Sequence, residues 1–286
     1  MKLENERYEM TFCTKGGEML SFLDKQTGIQ YLYQGDSEYW SGKNPTLFPM
    51  VGNTFSGSYE LNETKYAMKN HGLIRYAELT CIHHDEQSIT FELRDNDETR
   101  KQYPFSFCYH VTYRLEGNRC TITYEITNTS AIDMPFTFGL HPAFKCPLCQ
   151  AEQFSDYTLH FDQMETAVQI LPYADKKQPP QRIERSFQDL PLSHDWILDA
   201  STIIYEGLKS AYVTLQGKQY AVKVSVAGYP LLAIWTPHQN APFVCIEPWY
   251  GHGDFYDVQV PFAQREGMMM LSPGKMFTTS YQIEVL

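Results

Sequence analysis

The chain has 286 residues, 43% of them hydrophobic, including 20 Tyr, 17 Phe and 4 Trp. That content excludes a disordered chain, and the length suffices to bury a sizeable core without disulfides or metals. Thirty-four acidic against 23 basic residues give a formal net charge of −11, a poor balance for phosphate backbones or anionic lipid and a better one for a small neutral ligand.

The first ten residues, Met1–Met10, lack the apolar centre of a secretory leader. Wholly apolar runs are no longer than Tyr229–Trp235, against the roughly 20 residues of a membrane-spanning helix. Neither a membrane nor a nucleic acid is therefore expected as a partner. The cysteine count of seven would leave a thiol unpaired in an oxidising compartment, so a cytoplasmic location is expected. Cys146-Pro147-Leu148-Cys149 has CxxC spacing but no second ligand pair at zinc-site spacing.

In chain order, the first hairpin is expected around Asn62-Glu63, between Tyr59–Leu61 and Lys65–Met68. Tyr109, Val111, Tyr113 and Leu115 alternate with His110, Thr112 and Arg114; after the turn Glu116-Gly117-Asn118, Cys120, Ile122, Tyr124 and Ile126 alternate with polar residues. This period of two predicts a hairpin with one buried face, on which His110 takes the solvated side. Ala174–Arg185, with two prolines, reads as a surface loop, and Ser193–Leu198 as a short helical turn that Ser193 caps. A further hairpin joins Tyr212–Leu215 to Tyr220–Val226 through Gln216-Gly217-Lys218, and Met276–Val285 alternates to the end. No dozen residues sustain a 3.6-residue period. The expected fold is all-β, a large antiparallel β-sandwich formed by residues 1–286 as one domain, with few short helices.

Four segments break this pattern with residues that a sandwich does not require: Asn44–Asn53 (NPTLFPMVGN), Asn70–Arg75 (NHGLIR), Phe138–Phe144 (FGLHPAF) and Ile246–Asp254 (IEPWYGHGD). Glu247 directly follows the apolar run Pro242–Ile246, interrupted only by the polarizable Cys245. A carboxylate in a half-buried position is costly without partners, and such groups cluster at functional sites. His71, Arg75 and His141, in similarly irregular settings, supply partners, and Trp249 offers a flat apolar surface on which a sugar ring can rest. His83 and His84, adjacent on a strand, point oppositely and cannot share a metal; His160, His194, His238 and His252 are left without a role. No HxH, HExxH, phosphate-binding glycine loop or GxSxG elbow occurs, so no metal or other cofactor is expected.

Taken in order, Leu47-Phe48-Pro49 leading to a glycine, His71-Gly72-Leu73-Ile74-Arg75, Gly139-Leu140-His141-Pro142-Ala143-Phe144 and Glu247-Pro248-Trp249-Tyr250-Gly251 resemble the aldose 1-epimerase (galactose mutarotase) family, in particular its bacterial branch associated with lactose and galactose operons. The resemblance implies the galactose mutarotase-like supersandwich and the interconversion of α and β anomers of a free hexose such as galactose or glucose. By position it makes Glu247 the general base, His141 the general acid, His71 the substrate-holding second histidine and Arg75 the arginine of that motif. Where many relatives carry Gly-Arg after Leu-Phe-Pro, this chain has Gly52-Asn53; Asn53 can still bond a hydroxyl, without charge and with less reach. Asp199 or Glu206 is expected to supply an additional sugar-binding acid. The acidic limb of the pH profile is expected from Glu247 and the basic limb from His141. A hexose-6-phosphate epimerase and a non-catalytic carbohydrate-binding protein are the alternative readings, with a small-molecule sugar as the partner and a monomer or homodimer as the assembly.

Overall fold

The computed structural model describes residues 1–286. The alternation of Phe107–Glu116 and Arg119–Asn128 becomes an antiparallel hairpin with Tyr113 opposite Ile122 and Tyr109 opposite Ile126, all four fully buried. One face of each strand is apolar, so the register is fixed: a slip of one residue would turn every one of these side chains into water. The other hairpins pair as Ser58–Leu61 with Thr64–Ala67 and Tyr212–Gln216 with Ala221–Ser225.

These strands belong to an antiparallel β-sandwich dominated by one 15-stranded sheet. From one edge its order is Thr46–Leu47, Phe138–Leu140, Phe243–Tyr250, Leu231–Trp235, Ile203–Glu206 and Thr158–Leu171. It continues through Tyr212–Gln216, Ala221–Ser225, Met276–Val285, Arg119–Asn128, Phe107–Glu116, Ser88–Arg94 and Thr80–His84, while Ala143–Lys145 pairs with Phe243–Tyr250 and Gln181–Pro191 with Thr158–Leu171. A three-stranded sheet of Lys2–Glu4, Tyr8–Phe12 and Met19–Asp24 lies against it: the rings of Phe12 and Tyr113 are 4.8 Å apart, and the Tyr113 hydroxyl donates to Gly17 O at 2.8 Å. One apolar cluster runs from Leu3 to Val285 between the layers.

Three details differ from the sequence reading. Gln181–Arg185, expected in a loop, begins the strand Gln181–Pro191 paired with Thr158–Leu171. Among the residues of that strand only Phe187 is buried, so backbone pairing holds it and no apolar alternation announces it. The helix near Ser193 spans His194–Asp199, with Ser193 at the cap position but its side chain making no capping bond. A second helical turn, Asp97–Arg100, is closed by a capping box in which Asn96 Oδ1 accepts from Glu98 N and Thr99 N. All seven cysteines are free thiols, and no helix is long and apolar enough to cross a membrane.

Two of the irregular segments are clasped by backbone. Leu73 N–H donates to Phe48 O at 2.8 Å, and Phe48 and Gly72 form a parallel bridge. Gly72 sits at φ +76°, and a Cβ there would collide with the Phe48 carbonyl, so the close approach requires glycine twice over. Gly72→Ala is expected to lower stability by roughly 2 kcal/mol or more, measured by urea unfolding; a loss within about 0.5 kcal/mol would contradict the clasp.

Candidate active site

Strand order explains how segments distant in sequence meet. Phe138–Leu140 lies between Thr46–Leu47 and Phe243–Tyr250, with Gly139 opposite both Leu47 and Trp249. On the other side of a break, Ala143 lies opposite Cys245. Both pieces keep one register, which leaves His141 facing Glu247 across the gap, where Pro142 has no N–H to continue the ladder. Glycine is needed at Gly139, because a Cβ would come within 2.7 Å of the Trp249 ring.

His141 Nε2 is 3.5 Å from Glu247 Oε1, and their side chains are 7% and 1% exposed. Burial pushes the Glu247 carboxyl well above the usual carboxylate range, with the Trp249 indole N–H and the Arg75 charge opposing it without restoring it. Burial likewise holds His141 well below the usual imidazole range, helped by His71 and the Arg75 charge. A dry site disfavours both charges, so burial favours the protonated carboxyl and the neutral imidazole. His141 Nδ1, Glu247 Oε2 and Trp249 Nε1 are all buried without a hydrogen-bond partner. Trp249 N–H acts on Glu247 at a distance too long or an angle too poor for an ordinary bond.

His71 is clamped at φ +64° by two bonds to one residue: its N–H donates to Gly52 O at 2.6 Å, and Gly52 N–H donates to its Nδ1 at 3.0 Å. Accepting at Nδ1 places the proton of neutral His71 on Nε2. Protonating Nδ1 would set two N–H groups against each other, which agrees with a pKa lowered to about 3, chiefly by burial and then by Arg75. Its ring meets His141 edge-on at 5.4 Å. Arg75, on the turn Ile74–Tyr76, holds its guanidinium 6.0 Å from the Trp40 ring centroid.

A cleft of about 540 Å³ opens beside this cluster, lined by Asn53, His71, Trp249, His252, Asp254 and Phe255 and, from the loops, by Tyr173, Lys176, Ser201 and Thr202. His71 and Trp249 line this cleft, whereas His141 and Glu247 are not on its wall. Asn53 is in the cleft, but its Oδ1 is occupied by Thr54 N–H at 2.8 Å. Trp249 is only 7% exposed and packed among Leu47, Val51, Ile170, Ile204, Leu231 and Ala233, so the flat face expected for a sugar is largely covered. Neither Asp199 nor Glu206 lines the cleft; both are exposed, and Glu206 faces Arg182 at 3.7 Å. The acid that does line it is Asp254, which accepts from Phe55 N at 2.8 Å and pairs with Arg265.

Sequence reasoning missed the aromatic cover. Trp40 stacks on His141 at 4.7 Å and 25°, and Trp235 meets it edge-on at 5.3 Å. Trp40 comes from the loop after Gly35, whose far end is tied down where Lys43 N and Asn44 N donate to Glu18 Oε1. The available signal was a tryptophan between glycines in an otherwise polar stretch.

The chain belongs to the aldose 1-epimerase family, whose model matches residues 1–284. It is 32% identical over 268 residues to the plasmid-encoded protein LacX of Lactococcus lactis subsp. lactis, covering 88% of this chain and 87% of that one. Among solved structures, a galactose mutarotase related enzyme from Lactobacillus acidophilus superposes with a TM-score of 0.93 at 30% identity, over 100% of this chain and 97% of that one. A galactose mutarotase-like protein from Lactobacillus casei gives 0.90 at 28%, over 100% and 99%.

The depressed His71 pKa has a consequence for stability. The unfolded chain takes up a proton near the ordinary value of about 6.5 while the folded chain resists until about 3. His71 therefore supports the fold fully above about 6.5 and works against it increasingly as pH falls. Relative to His71→Asn, the parent is expected to lose up to about 1.4 kcal/mol per pH unit between those limits, measured by denaturant titration at several pH values. Parallel curves would refute the burial argument.

Proposed function

We propose that this protein is an aldose 1-epimerase acting on a free hexose such as galactose or glucose, with Glu247 as base and His141 as acid. The observation that supports it best is the group of buried, partnerless polar atoms, His141 Nδ1, Glu247 Oε2 and Trp249 Nε1, beside a cleft of sugar size. Clustered buried polar atoms without a partner call for an explanation, and a bound ligand that partners them is one. Hydroxyls and the ring oxygen of a pyranose are such partners.

Mutarotation opens a cyclic hemiacetal. Glu247 as carboxylate removes the proton of the anomeric hydroxyl while His141 as imidazolium protonates the ring oxygen. Rotation about C1–C2 then presents the other carbonyl face, and the roles reverse on closure. The reactive form differs from the resting form only by transfer of one proton from Glu247 to His141 within the pair, so no proton need be exchanged with solvent. Positioned acid and base groups contribute about 10²–10⁴-fold each. Donation from His71 Nε2–H fits the holding of a substrate oxygen rather than proton transfer, and Arg75 supplies positive charge beside the developing oxyanion. We further propose that residues 1–286 act as one domain and that the enzyme works in the cytoplasm, where its seven free thiols remain reduced.

Polarimetry of freshly dissolved α-D-galactose, α-D-glucose and a hexose 6-phosphate, with and without protein, tests the reading. Acceleration with the free sugars is expected; acceleration confined to the phosphate would replace the substrate class. Glu247→Gln and His141→Asn should each lower kcat by about 10²-fold or more with binding nearly intact, and the double variant should fall well short of the product. Near-parental turnover by Glu247→Gln would leave a binding protein as the better reading.

The kcat/KM profile should be bell-shaped, its limbs belonging to the pair. Burial reverses the assignment expected from the sequence. A second proton taken up at low pH lands on His141, whose pKa is depressed, and the proton lost at high pH leaves Glu247, whose pKa is raised. The acidic limb should therefore fall below the ordinary histidine range and the basic limb above the ordinary carboxylate range; a narrow bell with limbs near 4.5 and 6.5, the unperturbed positions, would count against this.

A further inference from the structure

The outer face of the large sheet carries a second group of ligating side chains, away from the cleft. Glu92 lies on Ser88–Arg94, directly opposite His110 on Phe107–Glu116. Cys108, two residues before His110, therefore points to the same side of the sheet. The three side-chain atoms converge. Cys108 S–H donates to Glu92 Oε2 at 3.5 Å, Cys108 Sγ is 3.6 Å from His110 Nε2, and His110 Nε2 is 2.9 Å from the same Glu92 Oε2.

From this triangle we propose that Glu92, Cys108 and His110 form a binding site for a borderline-soft divalent transition metal of the zinc class. Zinc bonds of about 2.3 Å to sulfur and about 2.0–2.2 Å to nitrogen or oxygen give a tetrahedron with edges of about 3.3–3.6 Å. Two edges of the triangle already have that length, and the third opens by about half an ångström as the metal replaces the hydrogen bond. One thiolate, one imidazole and one carboxylate suit zinc, whereas calcium and magnesium favour all-oxygen shells. Binding exchanges the Cys108 thiol proton, released to solvent, for the metal–sulfur bond.

The surroundings provide access and a fourth donor. Glu92 and His110 side chains are 18% and 26% exposed, so an ion can reach them from solvent. His110 is also opposite Glu125 on its other side, in Arg119–Asn128; this carboxylate or a water completes the tetrahedron. Arg94 now pairs with Glu92 at 3.0 Å, but its side chain is 65% exposed and free to swing away. The other triad of potential ligands, His141, Cys245 and Glu247, is completely buried and belongs to the catalytic cluster.

The test is a cobalt titration of the untagged, reduced, chelator-treated chain, followed by absorbance. We expect one equivalent of Co²⁺ to develop tetrahedral d–d bands with a thiolate-to-cobalt charge-transfer band, which Zn²⁺ displaces. Cys108→Ser should abolish the charge-transfer band, His110→Asn and Glu92→Gln should weaken binding at least 10-fold, and Cys245→Ser should retain the band. Zinc should raise the Tm of the parent but not of Cys108→Ser. Absence of a thiolate band in the parent at excess cobalt, its survival in Cys108→Ser or its loss in Cys245→Ser would each overturn the site. Cys108→Ser should keep parental activity in the polarimetric assay, so this site and the catalytic reading stand or fall separately.

Discussion

Glu247 is a carboxyl group held in the interior, and much of the nearby architecture follows from the need to accommodate it. Its strand lies between Leu231–Trp235 on one side and the pieces Phe138–Leu140 and Ala143–Lys145 on the other. Those two pieces share one register, interrupted at His141-Pro142, and the interruption puts an imidazole where a ladder residue would otherwise be. A lone buried carboxylate would cost several kcal/mol; retaining a proton beside a neutral imidazole removes that cost while leaving the proton able to move.

The walls of this small volume keep it dry. Trp40 covers one face of His141 and Trp235 its edge, while His71 closes the side toward the cleft. Two of these walls are fixed by backbone bonds: His71 by Gly52, Trp40's loop by the Glu18 carboxylate. Low dielectric strengthens every polar contact that a group entering this volume would make there. Burial therefore sets the protonation states and excludes water through the same contacts.

The opposite face of the sheet obeys a different rule. Alternation gives each strand a second, solvent-facing set of residues, and packing does not dictate their identity. Glu92, Cys108 and His110 are neighbours there only because two strands pair in one register. That face is therefore free to vary independently of the residues around the cleft.

By itself the sequence determined the architecture and the inventory. Period-two alternation in Tyr109–Leu115 and Cys120–Thr127 specifies half-buried antiparallel strands because one face must leave water, and the four ordered motifs name His71, Arg75, His141 and Glu247. Some local features were illegible: Gln181–Arg185 has no apolar face to betray its strand, and Trp40 stands in a polar loop just outside the segment Asn44–Asn53. Only the tertiary structure decided that residues 141 and 247 face each other, that the Trp249 ring is largely covered and its N–H left without a partner, and that Asp254 rather than Asp199 or Glu206 reaches the cleft. It also decided the direction in which burial moves the Glu247 and His141 pKa values. The physical reason is common to all of these. Strand patterning is a local consequence of burying one face, whereas which residues oppose one another, and how dry their meeting place is, depends on pairings between segments more than a hundred residues apart.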